Sequence, residues 1–137
     1  TIQAQILRLM LELKTRIGAA VMLITHDLGV VAETCQRVIV MYAGRTVEEA
    51  SVLDLFDRPA HPYTRGLLTS IPGRGGGRQR LTEIPGVVPS LREPIVGCPF
   101  APRCPMVIER CRNETPVMRV IATAHRAACF RAGEVVP

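Results

Sequence analysis

A single histidine near the end of an apolar run is the first residue that could do chemistry. His26 follows the run at residues 21–24 and precedes a predicted short helix. In open parallel sheets, ligands bind at the edge where strands end and helices begin. An imidazole there could donate a hydrogen bond to an anion beside the helix N-terminus. The alternative is a histidine that caps the helix or is satisfied within the core.

Four cysteines in the last third of the chain form a second candidate site. Cys98, Cys104, Cys111 and Cys129 are separated by five, six and seventeen residues. The first three lie in a proline-rich stretch that cannot build a conventional core. Four thiolates around one metal centre would compensate for the missing core, because metal binding of ~10 kcal/mol can drive the folding of a small module. The fifth cysteine, Cys35, is interpreted as a small buried hydrophobe in a helix.

The spacing of the four cysteines leaves their chemistry open. The gaps are neither those of a zinc ribbon nor those of a ferredoxin. A metal centre, two disulfides and free thiols all remain possible from spacing alone. Disulfides are disfavoured because nothing in the sequence indicates export.

The composition narrows the class of protein. The chain has 137 residues and is 47% apolar, which suits one domain or one domain with a small appendage. Its longest glycine-free apolar run, Ala19 to Ile24, is far shorter than the roughly 18 residues that span a bilayer. The same run is too short for a signal peptide, and residues 25–27 do not form a small-residue cleavage site, so we expect no secretion.

The basic charge does not indicate a nucleic-acid binder. Sixteen of the seventeen basic residues are arginine, but they are scattered along the chain. In the basic second part only Tyr63, Phe100 and Phe130 could stack on bases. We therefore expect no nucleic-acid partner, and favour a basic surface that faces anionic lipid or a membrane partner.

Proline and charge both change near residue 58 and indicate a boundary. All eleven prolines lie between Pro59 and Pro137. Residues 1–57 carry five basic and seven acidic groups, whereas residues 58–137 carry twelve basic and five acidic groups. The glycine-rich stretch from Gly73 to Arg78 lacks the flanking strand, the helix and the Lys-Ser/Thr pair of a phosphate loop, so we interpret it as a linker.

The first part predicts the elements that would position His26. Apolar residues at three- and four-residue steps predict an amphipathic helix that Gly18 ends. Residues 21–24 and 38–42 predict buried strands, the first of them in a parallel sheet. Residues 43–45 turn the chain into a hairpin strand at 46–49. Further helices are predicted after Asp27, from Ser51 to about Asp57, and from Pro62 through Leu68. The order indicates an α/β fold.

Several segments together resemble one family. Residues 21–27, followed by 28–32, resemble the switch-histidine segment of ABC-type ATPases. Residues 38–45 resemble the strand pair that follows it. His61-Pro62-Tyr63-Thr64 resembles the signature of the dipeptide and oligopeptide importer ATPases. The cysteines at 98–129 resemble the C-terminal extension of that subfamily.

The resemblance implies a fold and a division of the chain. Residues 1–70 would be the C-terminal part of an ABC-type P-loop ATPase domain, with parallel strands, helices and a β-hairpin. Residues 71–80 would be a Gly/Arg linker, and residues 81–137 a small, irregular, cysteine-rich extension.

The resemblance also implies an activity. The chain would be part of an ATP-binding subunit that couples ATP hydrolysis to the import of dipeptides, oligopeptides or related solutes. His26 would contact the terminal phosphate and the attacking water. The cofactors would be ATP and Mg²⁺, with a 4Fe-4S cluster on Cys98, Cys104, Cys111 and Cys129, in preference to zinc. The partners would be inner-membrane permease subunits and a second ATP-binding subunit, at the cytoplasmic face of a bacterial membrane.

The sequence departs from the family in what it lacks. The phosphate loop, the signature loop and the strand ending in Asp-Glu lie before the equivalent of Thr1 in the family. We therefore expect the 137 residues alone to be inactive as an ATPase. A second hypothesis is a non-catalytic metal-binding interaction module, in which the cysteine segment does the work.

Overall fold

A computed structural model describes residues 2–71 and 83–134. The chain divides into two compact units, residues 1–36 and residues 37–137. The predicted linker falls mostly on residues outside the described ranges, so the predicted boundary at 71–80 stays a prediction. No helix in the described ranges is long and apolar enough to cross a membrane.

The first unit consists of two helices. Helix α1 spans Ile2–Ile17 and helix α2 spans Leu28–Thr34. Gly18, with φ +69°, follows α1 in the left-handed conformation that often ends helices. The apolar residues that predicted α1 are exposed: Ile2, Ile6, Leu9, Leu13 and Ile17. The predicted helix is therefore confirmed, and its apolar residues remain largely exposed.

The predicted strand at residues 21–24 is wrong for the structure described here. The segment has no regular secondary structure, and Met22 and Ile24 are 85% and 91% exposed. A strand forms only by pairing its backbone N–H and C=O groups with a neighbouring strand. No strand of the described ranges pairs with this segment. The apolar run therefore has the composition of a buried strand without the pairing that makes one.

The second unit contains all the strands of the described ranges. A hairpin comes first, two helices follow, and the cysteine-rich part ends the unit. Its elements are β1 (Arg37–Tyr42), β2 (Arg45–Ser51), α3 (Val52–Asp57), α4 (Pro62–Thr69), a 3₁₀ turn (Ala101–Arg103), α5 (Glu109–Asn113), β3 (Arg119–Ala122) and β4 (His125–Ala127). The predicted hairpin, the helix after Ser51 and the helix starting at Pro62 are confirmed.

The sheet is antiparallel, in the order β1-β2-β4-β3. The prediction of parallel strands is therefore wrong for the described ranges, because every neighbour pair in this sheet runs in opposite directions. The prediction that β1 is buried also fails in part. Ile39 and Met41 remain 56% and 58% exposed, because successive side chains of a strand point to opposite faces and these two share the face that is not covered.

A small aromatic core joins the hairpin to the cysteine-rich segment. Tyr42, Val47 and Phe100 are buried together, with Cys98 and Cys104 packed against them. The Tyr42 and Phe100 rings meet edge to face at 5.2 Å between centroids, a favoured geometry for aromatic pairs. This core places the first two cysteines of the candidate centre beside the sheet.

Candidate functional site

His26 lies exposed in the short turn before helix α2. The helix is capped by its neighbour, since Asp27 Oδ1 accepts hydrogen bonds from the backbone N–H groups of Gly29 (2.9 Å) and Val30 (3.1 Å). The Asp27 N–H donates in turn to Thr25 Oγ1 at 3.0 Å. His26 is therefore neither the residue that caps α2 nor a residue buried in the core. The imidazole is available to a ligand from solvent.

The four predicted cysteines line one cavity. Its walls are otherwise mainly apolar, with one histidine and one arginine among them. The residues that line it are Cys98, Cys104, Cys111, Cys129, His61, Pro62, Phe100, Ala101, Met106, Pro116, Phe130 and Arg131. The structure thus brings together cysteines up to 31 positions apart, Cys98 and Cys129. Cys35 does not line the cavity, and it follows α2 as a half-buried C-cap residue.

Backbone N–H groups hydrogen-bond to three of the four sulfurs. In each case one donor lies two residues after the cysteine. The pairs are Cys98 with Phe100 and also Ala101, Cys104 with Met106, and Cys129 with Arg131. Donors placed in this way favour the thiolate, the form that binds metals.

Burial opposes ionisation of the same thiols. It raises the pKa of Cys98 and Cys104, and it raises the pKa of Cys129 to about 11, with the neighbouring thiols adding to each shift. Arg131 acts in the opposite direction on the pKa of Cys104. The cavity therefore offers N–H donors to the sulfurs. A cation bound in it would offset the negative charge of the thiolates and so favour ionisation of the thiols.

The donor set fits a metal–sulfur group, but the space is narrow. All five cysteines are free thiols. The cavity has about 10 Å³ of free volume, which is room for about one water molecule. In the described ranges, no three His, Cys, Asp or Glu side chains are gathered closely enough to hold one metal ion.

A buried carboxylate beside this cavity was missed by sequence reasoning. Glu48 is fully buried and accepts hydrogen bonds from the backbone N–H groups of Ala60 (2.7 Å) and His61 (3.0 Å). Its Oε1 also lies 2.7 Å from Nε2 of His125. The adjacent acids in Val47-Glu48-Glu49-Ala50 are a signal that could have revealed it, because consecutive strand residues face opposite sides.

His61 caps helix α4 and reaches the cysteine cavity. Its Nδ1 accepts a hydrogen bond from the Tyr63 N–H at 3.1 Å, and its ring packs against Phe100 at 5.8 Å between centroids. Burial lowers the pKa of His61 to about 4, although the Glu48 carboxylate favours the protonated ring. The ring is therefore neutral at physiological pH.

Comparison with known protein families shows what this chain is similar to. Residues 47–111 match the oligopeptide/dipeptide transporter, C-terminal region, family. The segment matching this C-terminal region includes Glu48, His61 and the first three cysteines of the cavity. Cys129 lies outside the matched residues.

Individual relatives extend the similarity along the whole chain. The chain is 70% identical over 137 residues to the Probable peptide ABC transporter ATP-binding protein y4tR of Sinorhizobium fredii. This alignment covers 99% of the chain and 41% of the relative. It is 52% identical over 132 residues to the oligopeptide transport ATP-binding protein OppD of Mycobacterium tuberculosis, covering 96% of the chain and 22% of the relative. It is 48% identical over 130 residues to the oligopeptide transport ATP-binding protein AppD of Bacillus subtilis, covering 95% of the chain and 40% of the relative.

These relatives are ATP-binding proteins of peptide and oligopeptide transport. The chain spans about two fifths or less of their length. The predicted resemblance to the ATP-binding proteins of peptide importers is confirmed.

Proposed function

We propose that this chain is the C-terminal part of an ATP-binding subunit of an ABC importer for dipeptides, oligopeptides or related solutes. The observation that carries the proposal is 70% identity to a peptide ABC transporter ATP-binding protein over almost the whole chain. In this function the complete subunit binds ATP and Mg²⁺ and couples hydrolysis to transport. It docks on membrane permease subunits at the cytoplasmic face and pairs with a second ATP-binding subunit.

His26 is the catalytic residue of this proposal. Phosphoryl transfer depends mainly on positioning and on stabilisation of charge at the transferred phosphate. The exposed imidazole lies beside the Asp27-capped start of α2, and in this proposal it contacts the terminal phosphate and the attacking water. Loss of one such contact costs ~10²-fold or more in rate.

A chimaera tests both the function and the residue. The corresponding C-terminal part of the Sinorhizobium fredii relative is replaced by these 137 residues, and ATP hydrolysis and peptide uptake are measured with the permease. We expect activity in the chimaera and a loss of ~10²-fold or more in His26→Ala. Glu33→Gln, which changes another exposed side chain of the same unit, is the control. Equal activity in His26→Ala and the control would exclude the assigned role, and an inactive, well-folded chimaera would contradict the proposed function.

The isolated 137 residues should have no ATPase activity of their own. They contain His26 but no phosphate-loop sequence. Turnover by the isolated chain that disappears in His26→Ala would contradict this expectation.

We further propose that Cys98, Cys104, Cys111 and Cys129 hold a 4Fe-4S cluster. Four sulfurs around one cavity, N–H donors on three of them and mainly apolar walls support this donor set. Given the narrow cavity, the cysteine segments must move apart to admit a cluster. Such a group would cross-link segments that have little core of their own.

Purification without oxygen tests the cluster. We expect a brown protein with about four iron and four sulfide per chain, and loss of both in Cys104→Ser. Limited proteolysis should then cut more readily after Gly97. Cys35→Ser, a change at the cysteine outside the cavity, should retain the iron. Stoichiometric zinc, or metal-free protein with all thiols titratable, would exclude the cluster.

The second hypothesis, a non-catalytic metal-binding module, is favoured by one observation. The cysteine cavity lies in the unit of residues 37–137, whereas His26 lies in the other. The chimaera separates the two functions, since a module without catalysis would give no dependence of ATP hydrolysis on His26.

A further inference from the structure

The backbone holds Cys98 and Cys111 side by side. The Cys98 N–H donates a hydrogen bond to Cys111 O at 2.7 Å. The Thr115 hydroxyl donates a second hydrogen bond to Gly97 O at 2.9 Å. The segment at Gly97 and Cys98 is therefore fixed at two neighbouring points, one within α5 and one just after it.

This arrangement is compatible with a disulfide bond. Residues that face each other through backbone hydrogen bonds in paired strands have Cα atoms about 5.5 Å apart. The Cα atoms of disulfide-bonded cysteines are most often about 5.5–6 Å apart. The hydrogen bond between Cys98 and Cys111 therefore places their Cα atoms within the range of a bridge.

The side chains of the two cysteines face the same cavity. Both line it, Cys98 as a half-buried thiol and Cys111 as a buried one. The Cys111 thiol adds to the raised pKa of Cys98, as expected of two sulfurs that lie close together. The cavity has room for about one water molecule, and a bond between two sulfurs adds no atom to it.

The difference in burial gives the two thiols different roles. Cys98 is half-buried, so a small oxidant can reach its sulfur, whereas Cys111 is buried. Hydrogen peroxide is an oxidant of suitable size, because it is little larger than water. Cys98 is therefore the thiol that meets the oxidant, and Cys111 is the thiol that reacts with the oxidised Cys98.

We propose that Cys98 and Cys111 are a redox-active pair that hydrogen peroxide joins in a reversible disulfide when the cysteines hold no metal. The Cys98 sulfur attacks one peroxide oxygen, the O–O bond breaks, and the other oxygen leaves as water with the Cys98 proton. The Cys111 sulfur then attacks the sulfur of the resulting sulfenic acid, and the S–O bond breaks as the hydroxyl leaves as water with the Cys111 proton. Two thiols and one peroxide thus give one disulfide and two water molecules. The pair does not depend on the proposed cluster.

Peptide mapping of the full-length chimaera tests the pair. Reduced, metal-free protein is treated with hydrogen peroxide, its remaining thiols are alkylated, and it is digested with trypsin. Cleavage after arginine places each cysteine of the cavity on its own peptide, namely residues 93–103, 104–110, 111–112 and 127–131. We expect residues 93–103 to be linked to residues 111–112, with a mass two hydrogen atoms below the sum of the two peptides. A thiol reductant should release both.

Unfolded protein is the control for proximity along the chain. Five residues separate Cys98 from Cys104 and six separate Cys104 from Cys111, whereas twelve separate Cys98 from Cys111. Closing a short flexible loop costs less entropy than closing a longer one. Peroxide treatment in urea should therefore link mainly neighbouring cysteines, so that a preference for the longer Cys98–Cys111 link in folded protein reports the fold.

Two substitutions separate the pair from the other thiols. Cys104→Ser keeps both partners and should retain the linked peptides, whereas Cys98→Ser should abolish them. Because a cross-link restricts the unfolded chain, peroxide should raise the urea midpoint of Cys104→Ser but not that of Cys98→Ser.

The mapping of unsubstituted protein does not require either variant to fold. Folded protein in which Cys98 or Cys111 links instead to Cys104 or Cys129 would overturn the proposal. Cys98 and Cys111 that both remain open to alkylation after peroxide treatment would overturn it as well.

Discussion

At the scale of single residues, Glu48 shows how one buried charge connects distant parts of the chain. It lies in β2, yet its carboxylate accepts hydrogen bonds from Ala60 and His61 at the start of α4 and meets His125 in β4. A buried carboxylate is tolerated only when its oxygens are hydrogen-bonded or paired. Glu48 therefore links β2 to the start of α4 and to β4, because those two segments supply the hydrogen-bond partners of its buried carboxylate.

Removal of this carboxylate should destabilise the fold strongly. In Glu48→Ala, two backbone N–H groups and His125 lose their buried acceptor, so we expect a loss of about 3–5 kcal/mol in the free energy of unfolding. Urea denaturation of the chimaera measures it.

The neighbouring acid provides the matched control. Glu49 pairs with Arg37 and Arg126, both of which are largely exposed. Glu49→Ala should cost at most about 1 kcal/mol. Similar losses in the two variants would show that Glu48 is not the central acceptor.

At the scale of elements, the helix after the hairpin depends on a reciprocal cap. The Asp54 N–H donates to Ser51 Oγ at 3.0 Å, and the Ser51 hydroxyl donates to Asp54 Oδ2 at 2.7 Å. The Ser51 hydroxyl, followed by Arg58, lowers the pKa of Asp54. The stability contributed by this carboxylate is therefore present above its unfolded pKa and is lost as the pH falls through the lower folded pKa.

Ser51→Ala tests that cap. It should cost about 1 kcal/mol and raise the pKa of Asp54 toward its ordinary value, so that less stability is lost on acidification. Carboxyl ¹³C NMR titration measures the pKa. Ser51→Thr, which keeps the hydroxyl, is the control, and an unchanged Asp54 pKa in Ser51→Ala would refute the assignment.

A glycine sets the contact between two cysteine-bearing segments. Gly97 has φ +74°, and a Cβ there would lie 2.5 Å from the carbonyl oxygens of Cys111 and Arg112. The next residue, Cys98, donates its backbone N–H to Cys111 O at 2.7 Å. Only glycine allows this approach.

Gly97→Ala should therefore separate Cys98 from Cys111. We expect a loss of stability beyond the roughly 1–2 kcal/mol of left-handed strain, together with loss of the iron of the proposed cluster. Gly133→Ala shares the positive φ but meets no atom within 4 Å, so it should show the strain alone. Full iron binding in Gly97→Ala would contradict this account.

At the scale of the whole molecule, the exposed apolar surface of the first unit is its most consequential feature. The apolar face of α1 and the run at 21–24 are both largely exposed. Contiguous apolar surface of this kind drives association. The isolated chain should therefore self-associate.

One substitution on α1 should reduce that association. Leu13→Lys places a charge on the apolar face, whereas Thr15→Lys places the same charge on another exposed position of the helix. Analytical ultracentrifugation should show a lower average mass for Leu13→Lys than for Thr15→Lys. Equal masses would exclude this face as the cause.

Local interactions made much of the fold predictable from the sequence. The period of α1 with Gly18 at its end, the Asp27 and Ser51 caps, the Pro62 start and the turn at 43–45 each depend on residues within a few positions of one another. The four cysteines line one cavity, while the metal centre predicted for them stays a prediction.

Only the tertiary structure decided the features that join distant residues. Residues 21–24 are apolar like a strand but lack a neighbour to pair with, and β4 joins the hairpin at Glu48 and Glu49. Glu48 meets a histidine 77 residues away, and His61 turns toward cysteines that begin 37 positions later. Such contacts depend on which segments fold against one another, and the local residue pattern does not contain that information.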